Sequence, residues 1–431
     1  MSQQIHFVVV TMGSAGDLFP FMAMALALRT RGHRVSFLAP EQHGAYVVAA
    51  GLDSTGLPVD EEVLRDPDLW HPTRGFGVVW RATRPAMARL LPFIDAASAD
   101  ADCVLLVHPL ALPEADLCRA RHPGLKVAAA YLAPSNLPSV HDPLMIGPWR
   151  VPRWVPLGAR RQLLRWGVRR FVDPVALKEV NAARHERGLA PLASMLPDML
   201  ALADLSVTLF PAWFGPSQPD WPQPMRQADF PLYDPSPDAP LSAELAQFLA
   251  EGPAPVVFTP GTGNLQAGAY FRHAIAATHA LGLRAIFLTL HRAQLPEALP
   301  AHVLWQEYVP LRRLLPQVAA LVHHGGIGTT AEALRAGTPQ LVVPLAHDQF
   351  DNAARVAALG AGLVLHAARV TRARLTRSLR ALLASAKIAD GARRQSARVR
   401  TGAGLDDACR ALETLAGCSQ PGSQPGTTPR G

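Results

Sequence analysis

The chain has 431 residues, of which 49% are hydrophobic and 17% are charged. This composition is typical of a globular protein, and the length predicts two or three domains that each bury a core. The formal net charge of +7 comes from arginine, because the only lysines are Lys126, Lys178 and Lys387. We interpret the positive charge as solvated surface spread along the chain, although it is compatible with an anionic membrane surface or an acidic ligand. Because we identify no basic stripe interleaved with aromatic residues, we expect no nucleic-acid partner.

The cysteines and the N-terminus predict the compartment. Cys103, Cys118, Cys409 and Cys418 show neither metal-ligand spacing nor a disulfide pattern, so we interpret them as free thiols. The chain begins Met-Ser-Gln-Gln and enters an apolar strand without a basic region or a cleavage site, so we expect no signal peptide. There is no run of eighteen apolar residues, which predicts no spanning helix. We therefore expect a cytoplasmic protein.

Residues 1–214 alternate short apolar strands with helices. A strand at 5–10, a turn at 13–17, a helix from Pro20 to about Arg31 and a strand at 35–38 form a β-loop-α-β unit. Further strands are predicted at 103–108, 126–131 and 205–210. Such alternation predicts a parallel sheet with helices on both faces, so the fold class is α/β.

Residues 215–240 are dense in proline, which excludes a long helix or a central strand, and we interpret them as an ordered crossing between domains. Alternation then resumes with a strand at 256–259, a glycine-rich turn at 261–264, a helix to about Ala280 and a strand at 284–290. The expected organisation is a first domain at 1–214, the crossing at 215–240, a second domain at 241–418 and a low-complexity, disordered tail at 419–431.

A second glycine-rich turn, His323-His324-Gly325-Gly326-Ile327-Gly328-Thr329, lies between an apolar run at 318–322 and a helix-forming run at 330–336 that Gly337 ends. A turn of this kind presents backbone N–H groups and the positive end of the helix dipole to an anion, usually a phosphate. The same glycines would also suit a tight turn that binds nothing. The polar residues around the turn favour the binding site.

These polar residues indicate which ligand is bound. His324 and Thr329 can donate to phosphate oxygens, and Glu332, one turn into the helix, could accept from ribose hydroxyls. Asp348 and Gln349 follow a second apolar run, so we place them at the carboxyl end of a strand, where ligands of open α/β sheets bind. They suit the hydroxyl groups of a sugar. Together these residues predict a site for a nucleotide-diphosphate sugar.

The segment 323–352 resembles the donor-binding signature of the inverting, metal-independent glycosyltransferases that use UDP- and TDP-sugars. The resemblance implies the GT-B fold, in which two Rossmann-like domains with parallel sheets face each other across a cleft. It also implies that the first domain binds the acceptor and the second binds the nucleotide-sugar donor.

The resemblance assigns a role to the first turn, Gly13-Ser14-Ala15-Gly16-Asp17. Relatives often carry histidine here as the general base, whereas the lipid, sterol and antibiotic branches frequently carry aspartate, which Asp17 matches. An acceptor alcohol is too weak an acid to ionise alone, so a base must take its proton as the bond to C1 forms. Gly16 is then expected at the acceptor site. The alternative is that Asp17 only caps the following helix.

Two further parts of the second domain are expected to hold the donor. The turn Gly261-Thr262-Gly263 would face the diphosphate across from His324. Tyr308 matches a family position where an aromatic residue stacks on the base, with the Val309 backbone contacting the base edge. A packed aromatic residue near a turn is the alternative for Tyr308.

Segments 13–21, 209–224 and 346–352 more specifically resemble the rhamnosyltransferase B subunits of rhamnolipid synthesis, whereas 324–332 conforms better to the broad family. This resemblance implies transfer of L-rhamnose from TDP-L-rhamnose to the hydroxyl of a 3-(3-hydroxyalkanoyloxy)alkanoic acid. Trp213 and Phe214 would then form a wall of an apolar acceptor channel. The alternative is that they pack the two domains together.

No metal cofactor is expected, because His324 and the glycine amides can neutralise the diphosphate, although Asp348 and Asp351 could imitate a metal pair. The resemblance leaves room for peripheral contact with the inner face of the inner membrane and for a partner enzyme that supplies the hydroxy-fatty-acid acceptor. Three alternatives stay open: a nucleotide-sugar epimerase of the same fold, a non-catalytic subunit that binds nucleotide sugar, and transfer of another sugar to a sterol, polyketide or other lipid.

Overall fold

A computed structural model describes residues 4–97, 103–142, 145–237, 239–400 and 402–417. In these residues the chain forms two α/β halves, each built on a parallel sheet, as the α/β alternation predicts. Cys418 and the predicted disordered tail at 419–431 lie outside the described residues.

The first half contains a seven-stranded sheet in which the pairings between neighbouring strands are all parallel. Its strands are β1 (His6–Val10), β2 (Arg34–Pro40), β3 (Asp53–Leu57), β4 (Cys103–Val107), β5 (Lys126–Tyr131), β8 (Leu205–Thr208) and β9 (Met225–Gln227), and a hairpin apart from the sheet pairs β6 (Met145–Ile146) with β7 (Trp149–Arg150). The strand order is β3-β2-β1-β4-β5-β8-β9. The central strands β1 and β4 are buried throughout, which is why they are continuous apolar runs.

The helices of the first half are α1 (Ala15–Thr30), α2 (Gly44–Ala49), α3 (Gly75–Met87), α4 (Leu90–Ala97), α5 (Leu112–Arg121), α6 (Leu157–Phe171) and α7 (Asp173–Glu186). The predicted start of the first helix at Pro20 is wrong, because α1 begins at Ala15. Ser14 and Asp17 form a capping box that satisfies free donors at the helix start, so the helix absorbs most of the predicted turn.

The second half contains a six-stranded parallel sheet with the order β12-β11-β10-β13-β14-β15. Its strands are β10 (Val256–Thr259), β11 (Ala285–Leu288), β12 (Val303–Gln306), β13 (Ala320–His323), β14 (Gln340–Val342) and β15 (Gly362–Val364). Its helices are α8 (Ala243–Ala250), α9 (Gly268–Leu281), α10 (Leu311–Leu314), α11 (Ile327–Ala336), α12 (Gln349–Ala358), α13 (Arg372–Leu383), α14 (Ala386–Ser396) and α15 (Ala403–Leu415). None of the described helices is long and apolar enough to cross a membrane.

The chain crosses between the halves twice. Strand β9 lies in the proline-rich stretch, where it extends the first sheet as an edge strand; an edge position is one that neighbouring prolines tolerate. The last helix, α15, returns to the first half, where it packs against α1 and β9. The Glu413 carboxylate accepts hydrogen bonds from Arg31 at 2.7 Å and lies 2.9 Å from His33 Nε2.

The prediction that the positive charge is spread along the chain is wrong, as is the statement that no basic stripe contains aromatic residues. Residues 149–171 contain seven arginines, three tryptophans and no acidic residue, so this segment carries the same formal charge as the whole chain, +7. The other 34 basic residues balance the 34 acidic residues.

We predict that Glu413→Gln lowers the free energy of unfolding by about 1–3 kcal/mol, because it removes charge-assisted hydrogen bonds that fasten α15 to the first half. The measurement is urea unfolding. The control is Asp407→Asn, which breaks the exposed Arg410–Asp407 pair of the same helix and should change stability by less than about 0.5 kcal/mol. Equal losses in the two variants would contradict this role of Glu413.

Candidate active site

The site lies where strand ends of the two halves approach each other. The turn after β1 carries Asp17, whereas the turns after β10 and β13 carry the two glycine-rich segments and the loop after β14 carries Asp348. Carboxyl ends of parallel strands meet at one edge of a sheet, so each half presents its polar turns together. Helices α1 and α11 contact each other, and a small apolar cavity of about 30 Å³ lies between the halves beside them.

Asp17 caps α1 with one carboxylate oxygen. Its Oδ2 accepts from the Ser14 amide at 2.8 Å and from the Ser14 hydroxyl at 3.1 Å. Gly13 has φ 104°, and a side chain there would collide with this carboxylate. His43 Nε2 lies 3.2 Å from the Gly13 carbonyl oxygen and donates to it. The capping role is thus present, yet Oδ1 accepts no hydrogen bond from the described residues and stays available for a proton.

Burial raises the pKa of Asp17 to about 6, although the hydrogen bonds from Ser14 act in the opposite direction. The carboxyl group is partly exposed and lies in a weakly solvated position, which disfavours its charge. A carboxylate of this pKa is ionised at neutral pH and is a stronger base than an ordinary aspartate. This property suits a general base.

A buried histidine holds the second glycine-rich turn. His323 Nδ1 accepts from the Gly325 amide at 3.2 Å, and its Nε2 donates to Gln340 Oε1 at 2.9 Å. Burial lowers the pKa of His323 to about 3, so the ring is neutral and can accept and donate at once. No role was predicted for His323 from the sequence. A polar residue at the end of an otherwise apolar buried strand is the feature that could have indicated one.

The prediction that the Gly325 amide faces the phosphate is wrong, because this amide donates its hydrogen bond to His323. The amides of Ile327, Gly328 and Thr329 in the first turn of α11 have no intrahelical acceptor, because the first internal bond of this helix runs from Thr330 to the Gly326 carbonyl. The amides that an anion could meet therefore begin after Gly325.

His324 lies against both glycine-rich turns. A side chain on Gly261 would come within 3.0 Å of the imidazole, and one on Gly326 would collide with it. His324 therefore lies directly against Gly261, and the binding of a diphosphate by the two stays a prediction. Burial lowers the pKa of His324 to about 4, so the ring is neutral and has one N–H to donate. Thr262 is exposed beside it and its carbonyl accepts from His291 at 3.3 Å.

The loop after β14 is built around two amide side chains. Gln349 Oε1 accepts from the amides of Leu345 and Ala346 at 2.8 and 3.2 Å, which leaves its NH₂ group to meet a ligand. Gln349 is thus placed to donate, whereas we predicted an acceptor-rich pair. Asn352, which the sequence analysis did not single out, donates to Asp348 Oδ2 at 2.8 Å and to the Gly325 carbonyl at 2.9 Å. It fixes the carboxylate to the glycine-rich turn.

Asp348 lies close enough to Asp17 of the first half for their charges to interact. Burial and the negative charge of Asp17 together raise the pKa of Asp348 to about 7, although the hydrogen bond from Asn352 acts in the opposite direction. Electrostatic coupling acts on both partners, so the two carboxyl groups titrate as a pair near neutral pH. The sequence places these residues 331 positions apart, and only the fold brings them together.

The predicted nucleoside-binding residues lie near one another at the second half. Tyr308 is 48% exposed, and its hydroxyl donates to Asp234 Oδ1 at 3.3 Å. Val309 is buried in the core, so only its backbone can contact a base. Glu332 accepts from Arg335 at 2.8 Å, and burial raises its pKa. Their contacts with a nucleoside stay predictions.

The predicted acceptor residues differ in their surroundings. Gly16 is exposed in the first turn of α1. Phe214 is buried against Phe230, with ring centroids 5.3 Å apart, and its carbonyl accepts from Arg355 at 3.0 Å. Trp213 is partly exposed and lies under Arg398 at 4.9 Å. These contacts favour packing between the halves for Phe214, which was the alternative interpretation.

Two further contacts fix the halves beside the site. His347 has φ 54°, in the left-handed region, and its Nε2 donates to the Leu69 carbonyl at 3.0 Å. Arg355 pairs with Asp351 at 2.8 Å on its own helix and with Asp142 of the first half.

In the part of the chain that the structure describes, no group of three or more histidine, cysteine, aspartate or glutamate side chains is placed to hold a metal ion.

Comparison with known proteins identifies the family. Residues 7–92 match the glycosyltransferase family 28 N-terminal domain, and residues 284–403 match the erythromycin biosynthesis protein CIII-like C-terminal domain. The chain is 32% identical to the O-mycaminosyltylonolide 6-deoxyallosyltransferase of Streptomyces fradiae, over 96% of this chain and 98% of the relative. It therefore belongs to the GT-B glycosyltransferases with these two domains.

Solved structures show the same two-domain fold. The glycosyltransferase of kitacinnamycin aligns with a TM-score of 0.73 at 20% identity, covering 96% of this chain and all of that one. A spinosyn rhamnosyltransferase complexed with thymidine diphosphate aligns with a TM-score of 0.66 at 23% identity, covering 95% of this chain and all of that one. The predicted GT-B fold is confirmed.

We predict that kcat/KM for glycosyl transfer falls as the pH drops through about 6, because Asp17 must be ionised to accept a proton. Asp348 has the higher pKa, about 7, so it is still largely protonated and neutral when Asp17 ionises, and Asp348→Asn should leave the acidic limb near pH 6. The measurement is the pH profile of kcat/KM for both proteins.

The control for this profile is Asp390→Asn, which alters an exposed carboxylate on α14 and should leave the limb in place. A limb that moves to lower pH in Asp348→Asn would show that Asp348 is already ionised when Asp17 titrates, and would refute this order of the two pKa values.

Proposed function

We propose that the protein is an inverting, metal-independent rhamnosyltransferase. It transfers L-rhamnose from TDP-L-rhamnose to the hydroxyl of a 3-(3-hydroxyalkanoyloxy)alkanoic acid and releases a mono-rhamnolipid and TDP. The observation that carries the proposed transfer is that Asp17 of the first half lies close enough to Asp348 of the second for their charges to interact, in a chain whose second half also has free amides at the start of α11. The choice of rhamnose and of the lipid rests on the sequence resemblance of segments 13–21 and 209–224.

The proposed reaction is a single in-line displacement. The acceptor oxygen attacks C1 of the sugar, and the bond from C1 to the phosphate oxygen breaks with its electron pair leaving on TDP. Asp17 takes the acceptor proton on Oδ1, because Oδ2 is held by Ser14. Attack from the face opposite the leaving group inverts C1. Narrowing of the cleft around bound substrates would exclude water, which competes as an acceptor.

The leaving diphosphate needs donors that face its developing charge. The amides of Ile327, Gly328 and Thr329 and the N–H of neutral His324 supply them, and the dipole of α11 adds partial positive charge. The turn at 261–263, which His324 contacts, would add the amides of Thr262 and Gly263, because the Gly261 amide donates to Thr259 Oγ1 at 3.4 Å. These groups do the work that a divalent cation does elsewhere, so we propose a reaction without metal.

The sugar and nucleoside would bind on either side of the diphosphate. Asp348 accepts from sugar hydroxyls, and the NH₂ group of Gln349 donates to them. Tyr308 would stack on thymine with its half-exposed ring, and Glu332 would accept from the ribose with the oxygen that Arg335 leaves free.

A second candidate is transfer of another deoxysugar to a polyketide or another hydroxylated lipid. It is favoured by the relative from Streptomyces fradiae, whose name describes a 6-deoxyallosyltransferase that acts on O-mycaminosyltylonolide. Both candidates use the same base and diphosphate site. They differ in the walls of the acceptor side and in the sugar hydroxyls that Asp348 and Gln349 meet.

The test is incubation of the protein with TDP-L-rhamnose and a hydroxyalkanoyloxyalkanoate in the presence of EDTA. We expect a mono-rhamnosylated lipid and TDP in equal amounts by mass spectrometry, with no product when TDP-glucose replaces the donor. Consumption of the donor without acceptor would indicate an epimerase or hydrolase instead. An intact donor here, with transfer to a macrolide, would favour the second candidate.

Two single substitutions should separate the base from the diphosphate site. Asp17→Asn should lower kcat about 10²–10⁴-fold and leave TDP affinity unchanged, because general bases contribute this much. His324→Ala should weaken TDP binding roughly tenfold through the loss of a hydrogen bond to charge. Calorimetry with TDP and initial rates measure both effects, with exposed His185→Ala as the control. Normal turnover in Asp17→Asn would remove Asp17 as the base.

A further inference from the structure

The segment that carries the excess positive charge also exposes large apolar side chains. Trp149 is 70% exposed, Trp154 82%, Leu157 43% and Trp166 54%. They lie on the hairpin β6–β7, on the loop after it and on α6. We call the exposed side chains of residues 149–170 the arginine–tryptophan surface. Exposed apolar groups of this size on a folded protein usually mark an interaction site.

The exposed arginines of this surface are not among the ion pairs that the described residues form. There are six of them: Arg150, Arg153, Arg161, Arg165, Arg169 and Arg170. None forms an ion pair within 4.0 Å with an acidic side chain of the described residues, whereas Arg31 and Arg355 elsewhere are paired. The surface therefore presents an uncompensated positive field to solvent.

Helix α6 arranges this charge on one side. Arg161, Arg165 and Arg169 repeat every four residues, a spacing that places like charges next to each other and destabilises the isolated helix. Trp166 lies beside this row. The fold uses another face of α6: Val168 is buried, and buried Arg160 donates to the Val140 carbonyl at 3.1 Å. Packing thus leaves the arginine row without a stabilising contact.

The surface begins beside the cleft. Asp142, just before the hairpin, pairs with Arg355 of α12. At the hairpin turn, a side chain on Gly147 would lie 3.2 Å from Pro72, which closely follows Trp70. Trp70 contacts His347, the neighbour of Asp348, with ring centroids 6.0 Å apart. A partner bound to the arginine–tryptophan surface would therefore lie near the mouth of the site.

We propose that the arginine–tryptophan surface docks the protein on the surface of an anionic phospholipid bilayer. Tryptophan is favoured at the headgroup level of membranes, and arginines next to it attract anionic headgroups. A helix that combines a basic row with a tryptophan is typical of interfacial binding without insertion across the membrane. Leu157 is exposed as well as the tryptophans, and an exposed aliphatic side chain suits an apolar layer better than a nucleic acid, whose bases stack on aromatic rings and guanidinium planes. Docking would hold the cleft beside the bilayer, from which a lipid acceptor could enter.

The experiment is sedimentation of the full chain with vesicles of phosphatidylcholine alone or mixed with phosphatidylglycerol. We expect binding only to the mixed vesicles, a decrease at high salt, and a blue shift of tryptophan fluorescence on binding. The variant Arg161→Gln/Arg165→Gln/Arg169→Gln should lower the partition coefficient roughly a hundredfold, because each basic residue near an anionic surface contributes about fivefold. Trp154→Ser/Trp166→Ser should bind more weakly and lose most of the blue shift.

The matched control is Arg372→Gln/Arg377→Gln/Arg380→Gln, which removes the same charge from exposed positions on α13 and should bind like the parent chain. Circular dichroism verifies that each variant is folded. The proposal is overturned by equal binding to both vesicles, by an equal loss in the control, or by no binding to either vesicle. It is also overturned if the surface instead binds a single-stranded oligonucleotide or forms dimers that the α6 variant abolishes. No sugar is present, so the result is independent of the proposed transfer reaction.

Discussion

The position of the site depends on two hydrogen bonds of one buried side chain. The Asn352 amide donates to the Gly325 carbonyl and to the Asp348 carboxylate, so the glycine-rich turn and the acidic loop cannot move independently. One turn further along α12, Arg355 binds the Phe214 carbonyl and Asp142 of the first half. A single helix thereby aligns the anion site, the carboxylate and the opposite half. Its polar face is buried, and a lost partner there would be costly.

The site balances burial against hydrogen bonding. Desolvation raises the pKa of both Asp17 and Asp348, whereas Ser14 and Asn352 stabilise the charged forms. The two carboxyl groups therefore titrate as a coupled pair near neutral pH, and the loss of a proton from one of them changes the pKa of the other. Burial has the opposite effect on His323 and His324, whose rings stay neutral. The site therefore combines two carboxyl groups that can accept a proton near neutral pH with two neutral imidazoles that donate hydrogen bonds.

The connections between the halves come from distant parts of the chain. Helix α15 completes the packing of the first half although it follows the second, and its Glu413 binds Arg31 and His33. The hairpin and α6 lie outside the first sheet and pack through Arg160 and Val168, so their outer face takes no part in either core. The fold thus separates a buried transfer site from an exposed basic surface. This arrangement would let the protein bind an amphipathic acceptor at a membrane and transfer the sugar to it in the cleft.

The sequence by itself determined the central strands, because continuous apolar runs such as 127–131 and 256–258 are typical of buried parallel strands. It did not predict the strands β3, β9, β12 and β15. It also determined the two glycine-rich turns and the family, since turn chemistry and motif spacing are local. Only the tertiary structure decided that Gly325 gives its amide to His323, that Asp17 meets Asp348 and that α15 returns to the first half. These outcomes depend on contacts between residues far apart in the chain, and a local pattern of polar and apolar residues contains no record of which distant groups will share one buried space.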